Sequence, residues 1–230
     1  MNKLRQRSFA KSVATLTRPL FFILLTAMMG AGLAHASNKA PKEVITETAN
    51  ELLSFIEEAR DYHEKEPERF YNRVEEILSP AVDMRRFSAG VMGKYYRAAS
   101  KEQRQRFLSV FQNSLIRTYA KGLLAFSKEE IRVLEPKAPS RDPERDTVEM
   151  EVISVDGTVY PIIYAMRKGK DDQWRITNVT VNGINLGVTF RNQFDSAMQA
   201  HSRNFDYVID NWLTSDASNA VTEQTSGVKE

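Results

Sequence analysis

Ionisable side chains suited to acid–base or metal chemistry are few and scattered in this sequence. Beyond residue 36 it has two histidines, His63 and His201, and neither lies in a metal-binding spacing such as His-Glu-x-x-His. Glu149 and Glu151 alternate with apolar residues, which directs their carboxylates to solvent. We interpret all of these as solvated side chains, together with four adjacent carboxylate pairs. The pairs are Glu57–Glu58, Glu75–Glu76, Glu129–Glu130 and Asp171–Asp172.

Sequence motifs of nucleophilic and nucleotide-dependent enzymes are absent as well. The chain has no cysteine, which excludes thiol catalysis and thiolate metal sites. Ser88 lacks the Gly-x-Ser-x-Gly context of a hydrolase nucleophile. Neither a Walker A loop nor a Gly-x-Gly-x-x-Gly fingerprint occurs. We therefore predict that the protein is not an enzyme and needs no metal or cofactor.

A basic segment at residues 85–106 stands out against an acidic background. The chain has 32 Lys+Arg and 30 Asp+Glu, and five of the basic residues but none of the acidic ones lie in residues 1–36, so the rest carries 27 against 30, or −3. Such a segment can steer acidic partners or anionic head groups, and we expect Arg97, Lys101 and Arg104 to be docking contacts. The alternative is that the segment is an ordinary solvated polar face. Nucleic acid is not expected to be a partner. The segment has Glu102 against Arg85, Arg86, Lys94, Arg97, Lys101, Arg104 and Arg106.

Apolar residues at helical spacing dominate residues 42–128. A first helix is expected to start near Pro41, and a second to run from Pro67 to Pro80. Ser100 and Gln103 have the form of a capping box at the start of a long helix. The apolar stripe of that helix recurs every four residues, at Phe107, Phe111, Leu115, Tyr119 and Leu123.

Alternating residues predict an antiparallel meander over residues 131–182. In TVEMEVISV, Val148, Met150 and Val152 share one face, and Asp156-Gly157 predicts a hairpin turn. Pro161 indicates an edge or a bulge because it cannot donate a ladder hydrogen bond. Helices are expected over 188–214, followed by a disordered tail at 215–230. Helices, then a meander, then helices predict an α+β fold.

The first 36 residues have the organisation of an export signal. A basic stretch without acidic residues precedes the apolar run LFFILLTAMMGAGL, and Ala34-His35-Ala36 has the form of a cleavage site. The apolar run is shorter than the roughly 20 residues that span a bilayer. We expect a signal peptide at 1–36, a periplasmic location and a single domain at 37–214. An uncleaved membrane anchor is the alternative.

Two stretches of the chain resemble the MlaC family, also called the toluene-tolerance family, of periplasmic phospholipid-binding proteins. One is MGKYYRAASKEQRQRFLSVFQNSLIRTYAKGLL, and the other is WRITNVTVNGINLGVTFRNQF. The resemblance implies a twisted antiparallel sheet of about four strands, similar to nuclear transport factor two, wrapped by about seven helices around a deep apolar cavity. The residues that match the family pattern in the first stretch are Gly93, Tyr95, Tyr96, Arg97, Ala99, Gln103 and Arg104.

The same resemblance implies a monomeric carrier of glycerophospholipid, which is its cargo and not a cofactor. Its implied partners are an outer-membrane lipoprotein–porin complex and an inner-membrane ABC transporter complex of the Mla pathway, which maintains outer-membrane lipid asymmetry. Two acyl chains have about 30 methylenes, and exposing them to water costs on the order of 20 kcal/mol. Such a carrier must enclose the tails, and it needs no catalytic residue.

The expected lipid site combines the inward strand faces, the long helix and a flexible lip at the sequence NGINLG. Ordinary core packing is the alternative for the strand and helix residues, and a tight strand-to-helix connection is the alternative for the lip. The basic segment is expected near the cavity mouth. The predicted lipid-binding residues are Tyr96, Phe107, Phe111, Leu115, Tyr119, Leu123, Met150, Val152, Ile162, Tyr164, Met166, Ile176, Val181, Ile184, Leu186 and Phe190.

Two other functions remain open from the sequence. An enzyme on the same architecture depends on Tyr160 or Tyr164 alone, because the other inward strand residues are Val, Ile and Met. A periplasmic chaperone or binding module for other apolar ligands or peptides would present the same helical face. The identity of the bound ligand distinguishes these functions.

Overall fold

The computed structural model describes residues 38–124, 129–138 and 140–212. The predicted signal peptide at 1–36 and the predicted tail at 215–230 lie outside these residues. The described helices are α1 (Pro41–Ala59), α2 (Pro67–Leu78), α3 (Met84–Met92), α4 (Lys101–Leu123), α5 (Leu186–Ala200) and α6 (Phe205–Asp210), and the strands are β1 (Glu130–Val133), β2 (Arg145–Ile153), β3 (Val159–Lys168), β4 (Trp174–Val181) and β5 (Ile184–Asn185).

The helix starts follow the local signals in the sequence. Prolines occupy the first turns of α1 and α2, where a missing N–H is tolerated. The capping box of α4 is present, since Ser100 Oγ accepts from the Gln103 N–H at 3.1 Å and Gln103 Oε1 accepts from the Ser100 N–H at 3.0 Å. These groups satisfy backbone donors that the first turn leaves without partners.

The five described strands form one antiparallel sheet in the order β1-β2-β3-β4-β5. The β2–β3 hairpin turns at Asp156-Gly157, where Gly157 has a φ of 87°. Pro161 pairs in register with Glu151 of β2, and its carbonyl oxygen accepts from the Asn182 N–H at 2.8 Å, just beyond the last pair of β3 with β4. Because the nitrogen and carbonyl of one strand residue face the same side, the missing N–H faces the end of β4 and not β2. The irregularity in β3 lies instead between Ala165 and Met166. The α+β prediction is confirmed, with one more strand than expected and six described α-helices instead of about seven.

The additional strand, β5, arises from a tight turn after β4. Asn182 and Gly183 have φ values of 49° and 83°, the positive pair that a two-residue hairpin turn requires. Ile184 thereby returns to pair with Val181. The carboxamide of Asn185 accepts from the Val188 N–H at 3.0 Å and caps α5. The sequence NGINLG is therefore a hydrogen-bonded connection between β4 and α5, and its movement as a lip of the cavity stays a prediction.

Three groups of buried side chains hold these elements together. An aromatic cluster joins α3, α5 and α6 to the first half of α4, with Phe107, Phe111 and Phe194 fully buried in it. A second group packs α1 on the inner face of the sheet. A third joins α1 and α2 to the second half of α4 through residues that include Phe70 and Ala120. Helix α4 thus serves two different groups along its length.

Candidate functional site

An apolar cavity of about 170 Å³ lies between α1 and the inner face of the sheet. Among the described residues that line it, only Thr48 and Tyr164 have a polar side-chain atom, and none is charged. The Thr48 hydroxyl donates to the Val44 carbonyl at 2.7 Å and is satisfied within its helix. The lining residues are Ile45, Thr48, Ala49, Leu52, Leu53, Ile56, Leu78, Leu123, Ile131, Met150, Val152, Ile162, Tyr164 and Ile176.

Helix α1 forms one wall of the cavity. Ile45, Ala49 and Leu52 recur at helical spacing on the face directed to the sheet, and Ile56 continues that face. Phe55 lies on a different face and stacks on Phe70 of α2, with ring centroids 5.7 Å apart. Helix α1 is therefore held by α2 on one side and borders the cavity on another.

The sheet forms the opposite wall through the alternation of its strands. Met150 of β2 pairs with Ile162 of β3, and Val152 pairs with Ile131 of β1, so their side chains share the inner face. Ile176 of β4 completes this wall. The predicted inward faces of β2 and β3 are therefore the faces that border the cavity.

Tyr164 is the one phenol among the described lining residues. Burial raises its pKa well above the usual value for tyrosine. Its hydroxyl donates weakly to Met150 Sδ at 3.9 Å. The phenol is therefore neutral at physiological pH. Tyr160, the other tyrosine considered for catalysis, packs against the sheet core and does not line the cavity.

Six of the predicted lipid-binding residues line the cavity: Leu123, Met150, Val152, Ile162, Tyr164 and Ile176. The structure places the remaining predicted residues elsewhere. Met166 is buried in the same sheet core without bordering the cavity, and Val181 and Ile184 pair across the turn between β4 and β5. The other seven belong to the aromatic cluster or pack against it; they are Tyr96, Phe107, Phe111, Leu115, Tyr119, Leu186 and Phe190.

The length of α4 explains why most of its predicted residues lie away from the cavity. Leu123 comes 16 positions after Phe107, and at 1.5 Å per residue this separates them by about 24 Å along the helix. Only Leu123, in the last turn, borders the cavity. An apolar period identifies the buried face of a helix, but it does not distinguish which group of side chains each turn meets.

The contribution of α1 to the cavity was not predicted from the sequence. Six of its residues border the cavity, as do Leu78 of α2 and Ile131 of β1. The sequence of α1 does contain one indication of this role, because its apolar face is wider than packing against a single helix requires. Phe55 packs against α2, and Ile56 borders the cavity. The missed residues of α1 are Ile45, Thr48, Ala49, Leu52, Leu53 and Ile56.

The predicted docking residues lie at the other end of α4. Arg97 and Lys101 are exposed, and Arg104 is half-buried. Leu123 comes 19 positions after Arg104, which separates them by about 28 Å along the helix. The structure therefore separates the basic segment from the apolar cavity, and the expected position near the cavity mouth is not found.

The described residues contain neither a metal-binding cluster nor a membrane-spanning helix. No group of three or more His, Asp or Glu side chains there is arranged to hold a metal ion. No helix within 38–124, 129–138 and 140–212 combines the length and apolar composition needed to cross a membrane.

The fold and the cavity define an α+β protein in which a helix and a sheet enclose an uncharged apolar space. The sequence profile of the MlaC protein family matches residues 46–214. The chain is also 36% identical, over 190 residues, to the toluene tolerance protein ttg2D of Pseudomonas putida, covering 82% of this chain and 87% of that protein. The chain therefore belongs to the MlaC family.

Two further relatives were found. The intermembrane phospholipid transport system binding protein MlaC of Haemophilus influenzae is 24% identical over 171 residues, which cover 72% of this chain and 79% of that protein. A solved structure from Ralstonia solanacearum has a TM-score of 0.69 at 21% identity and covers 79% of this chain and 98% of that chain. That structure is of a phospholipid-binding protein in complex with a phospholipid.

Proposed function

We propose that this protein is a periplasmic phospholipid carrier of the Mla pathway. It would move glycerophospholipid between an outer-membrane lipoprotein–porin complex and an inner-membrane ABC transporter complex, and so maintain outer-membrane lipid asymmetry. The observation that carries this proposal is the uncharged apolar cavity between α1 and the sheet. The names of the relatives and family membership support the choice of phospholipid.

The energetics of the cargo favour this kind of site. Exposing about 30 methylenes to water costs on the order of 20 kcal/mol, so a carrier must surround both tails. A charged group in the cavity would oppose loading because its burial is strongly unfavourable. The phosphate head group has no such requirement and can stay in water. Enclosing acyl tails requires no catalytic residue and no cofactor, and the proposal includes neither.

The cavity is smaller than such a cargo. If each methylene occupies about as much space as liquid water, roughly 30 Å³, two tails require on the order of 900 Å³. The space between atoms in and around the cavity is about 700 Å³, and part of it is open to solvent. Leu52 and Leu53 of α1 are only half-buried and border this space. We propose that α1 moves away from the sheet as the tails enter.

Solvent extraction of the purified protein, followed by mass spectrometry of the extract, tests the proposal. The protein should be produced with its N-terminal 36 residues and collected from the periplasmic fraction. We expect glycerophospholipid in near-stoichiometric amount. Recovery of apolar peptides in its place would support the chaperone or binding-module alternative. An extract with neither would contradict carriage of an apolar cargo.

A further inference from the structure

A small cleft lies between α3 and the first turns of α4, far from the apolar cavity. It has a volume of about 120 Å³ and is lined by three cationic side chains, Arg85, Lys101 and Arg104, beside Tyr96. We call it the basic cleft. A cleft of this size holds a single side chain or a small anion, and its charge selects a negative group.

Some basic side chains of residues 85–106 form ion pairs, and others have no acidic partner among the described residues. Lys94 forms an ion pair with Asp195 at 2.6 Å, and Arg86 forms a longer one with Asp83 at 3.7 Å. Arg106 is paired with both acidic residues of α6. Among the described residues, no carboxylate pairs with Arg85, Arg97, Lys101 or Arg104. Three of these four line the basic cleft, and the fourth, Arg97, is adjacent to it in the chain.

Arg104 is held in place without an acidic partner. Its guanidinium lies 4.6 Å from the centre of the Tyr96 ring. Nη2 donates to the carbonyl oxygens of Ala99 at 2.8 Å and Arg97 at 3.3 Å. Its Nε is buried and has no hydrogen-bond partner among the described residues. A positioned guanidinium without an acidic partner is suited to a carboxylate or a phosphate.

The basic cleft is too far from the cavity to bind the head group of a lipid whose tails occupy the cavity. Arg104 and Leu123 are separated by about 28 Å along α4. The anion must therefore come from another molecule. A bilayer surface is a poor match because Arg104 is recessed, and the exposed large apolar residues lie elsewhere, at Val155, Val159, Ile163, Val188 and Tyr207.

We propose that the basic cleft is a docking site for a carboxylate side chain of an acidic protein partner. The inference rests on the proposed function, because a carrier has to dock wherever its cargo is loaded or released. An Asp or Glu of the partner enters between Arg85 and Lys101 and reaches the guanidinium of Arg104. Rim charges of this kind chiefly accelerate association and weaken with salt.

The test measures binding of a fluorescent hexaglutamate peptide to the carrier collected from the periplasmic fraction, by anisotropy at low salt. The test variant is Arg85→Glu with Lys101→Glu, two exposed cations whose loss breaks no ion pair in the described chain. Arg104 is left intact because it also binds two backbone carbonyls. The matched control is Arg141→Glu with Lys170→Glu, which changes the net charge equally at exposed positions outside the cleft.

We expect the test variant to weaken peptide binding at least tenfold and the control less than twofold, with both effects lost at high salt. Equal losses in the two variants, or no peptide binding by the unmodified protein, would overturn the proposal. Vesicles of phosphatidylglycerol and phosphatidylethanolamine form a second arm. Cleft-dependent vesicle binding without cleft-dependent peptide binding would assign the site to membrane phosphates and overturn it.

Phospholipid content separates this inference from the proposed function. The test variant should retain the phospholipid of the unmodified protein, because the basic cleft is remote from the cavity. A folded test variant without lipid would make the cleft a head-group site and overturn the docking proposal. Absence of lipid from the unmodified protein would instead count against phospholipid carriage. The comparison of hexaglutamate binding between the test and control variants would still test the docking proposal.

Discussion

At the scale of single residues, Tyr164 illustrates how the cavity tolerates polarity. Its ring supplies apolar lining, and its hydroxyl has only the thioether of Met150 as a weak acceptor. The raised pKa of this phenol keeps it neutral. A side chain in this state can pack against hydrocarbon, and it is unsuited to act as a general base at neutral pH.

Replacing Tyr164 with Phe should therefore change little. We expect the free energy of unfolding to change by less than about 1 kcal/mol, since the lost hydrogen bond is weak and the ring is retained. Bound phospholipid should stay at the level of the unmodified protein. Chemical denaturation and lipid extraction measure the two quantities. A large loss of lipid without unfolding would show that the hydroxyl binds the cargo.

Asp195 gives a residue-scale prediction about pH. Lys94 Nζ lies 2.6 Å from its carboxylate and the Tyr95 hydroxyl donates at 2.7 Å, and these contacts lower the pKa of Asp195. Because the folded pKa lies below the unfolded one, the stabilisation is complete above the usual pKa near 4 and is lost as pH falls through the folded value. Asp195→Asn should lower the melting temperature at pH 7, with a smaller difference near pH 3. A difference independent of pH would contradict this account.

At the scale of elements, α1 and α4 show what periodic patterns reveal. The capping box, the prolines and the alternation of β2 and β3 predicted element starts and the inward faces, including Met150 and Ile162. The stripe of α4 is buried at Phe107 and Phe111 and half-buried in its second half, and an apolar period cannot separate core from cavity because both require apolar residues. Which turns meet the cavity depends on tertiary packing that no local period encodes, and for the same reason the part played by α1 was missed.

Helix α1 also provides a direct way to fill the cavity. Ala49 borders it and has little volume of its own. Ala49→Phe should occupy much of the space of about 170 Å³ and compete with acyl tails. We expect several-fold less co-purified phospholipid in a protein that remains folded by circular dichroism.

The control for Ala49→Phe is Ser54→Phe, which adds a ring at an exposed position of the same helix. It should leave the phospholipid content unchanged. Equal lipid content in both variants would mean that the tails do not lie against this part of α1.

At the scale of the whole molecule, the two proposed functional surfaces lie at different ends of α4. The apolar cavity meets its last turn at Leu123, and the basic cleft meets its first turns at Lys101 and Arg104. The sequence predicted an apolar site and basic docking contacts, and the docking role stays a prediction. It did not predict that the two lie far apart, because the sequence does not show which elements pack against each end of α4. Docking and cargo binding can therefore be altered independently.

The central claim is that acyl tails lie between α1 and the inner face of the sheet. Ile162 and Ile163 are neighbours in β3, but Ile162 borders the cavity and Ile163 lies 39% exposed on the outer face. The decisive measurement is phospholipid per folded protein in Ile162→Glu and Ile163→Glu. A carboxylate at the inner position opposes tail binding, because burying an unpaired charge is strongly unfavourable, whereas the outer one remains in water. We predict at least tenfold less phospholipid in Ile162→Glu, or in the milder Ile162→Gln if the first variant unfolds, and normal content in Ile163→Glu. Normal phospholipid content in a folded inner variant would contradict the account.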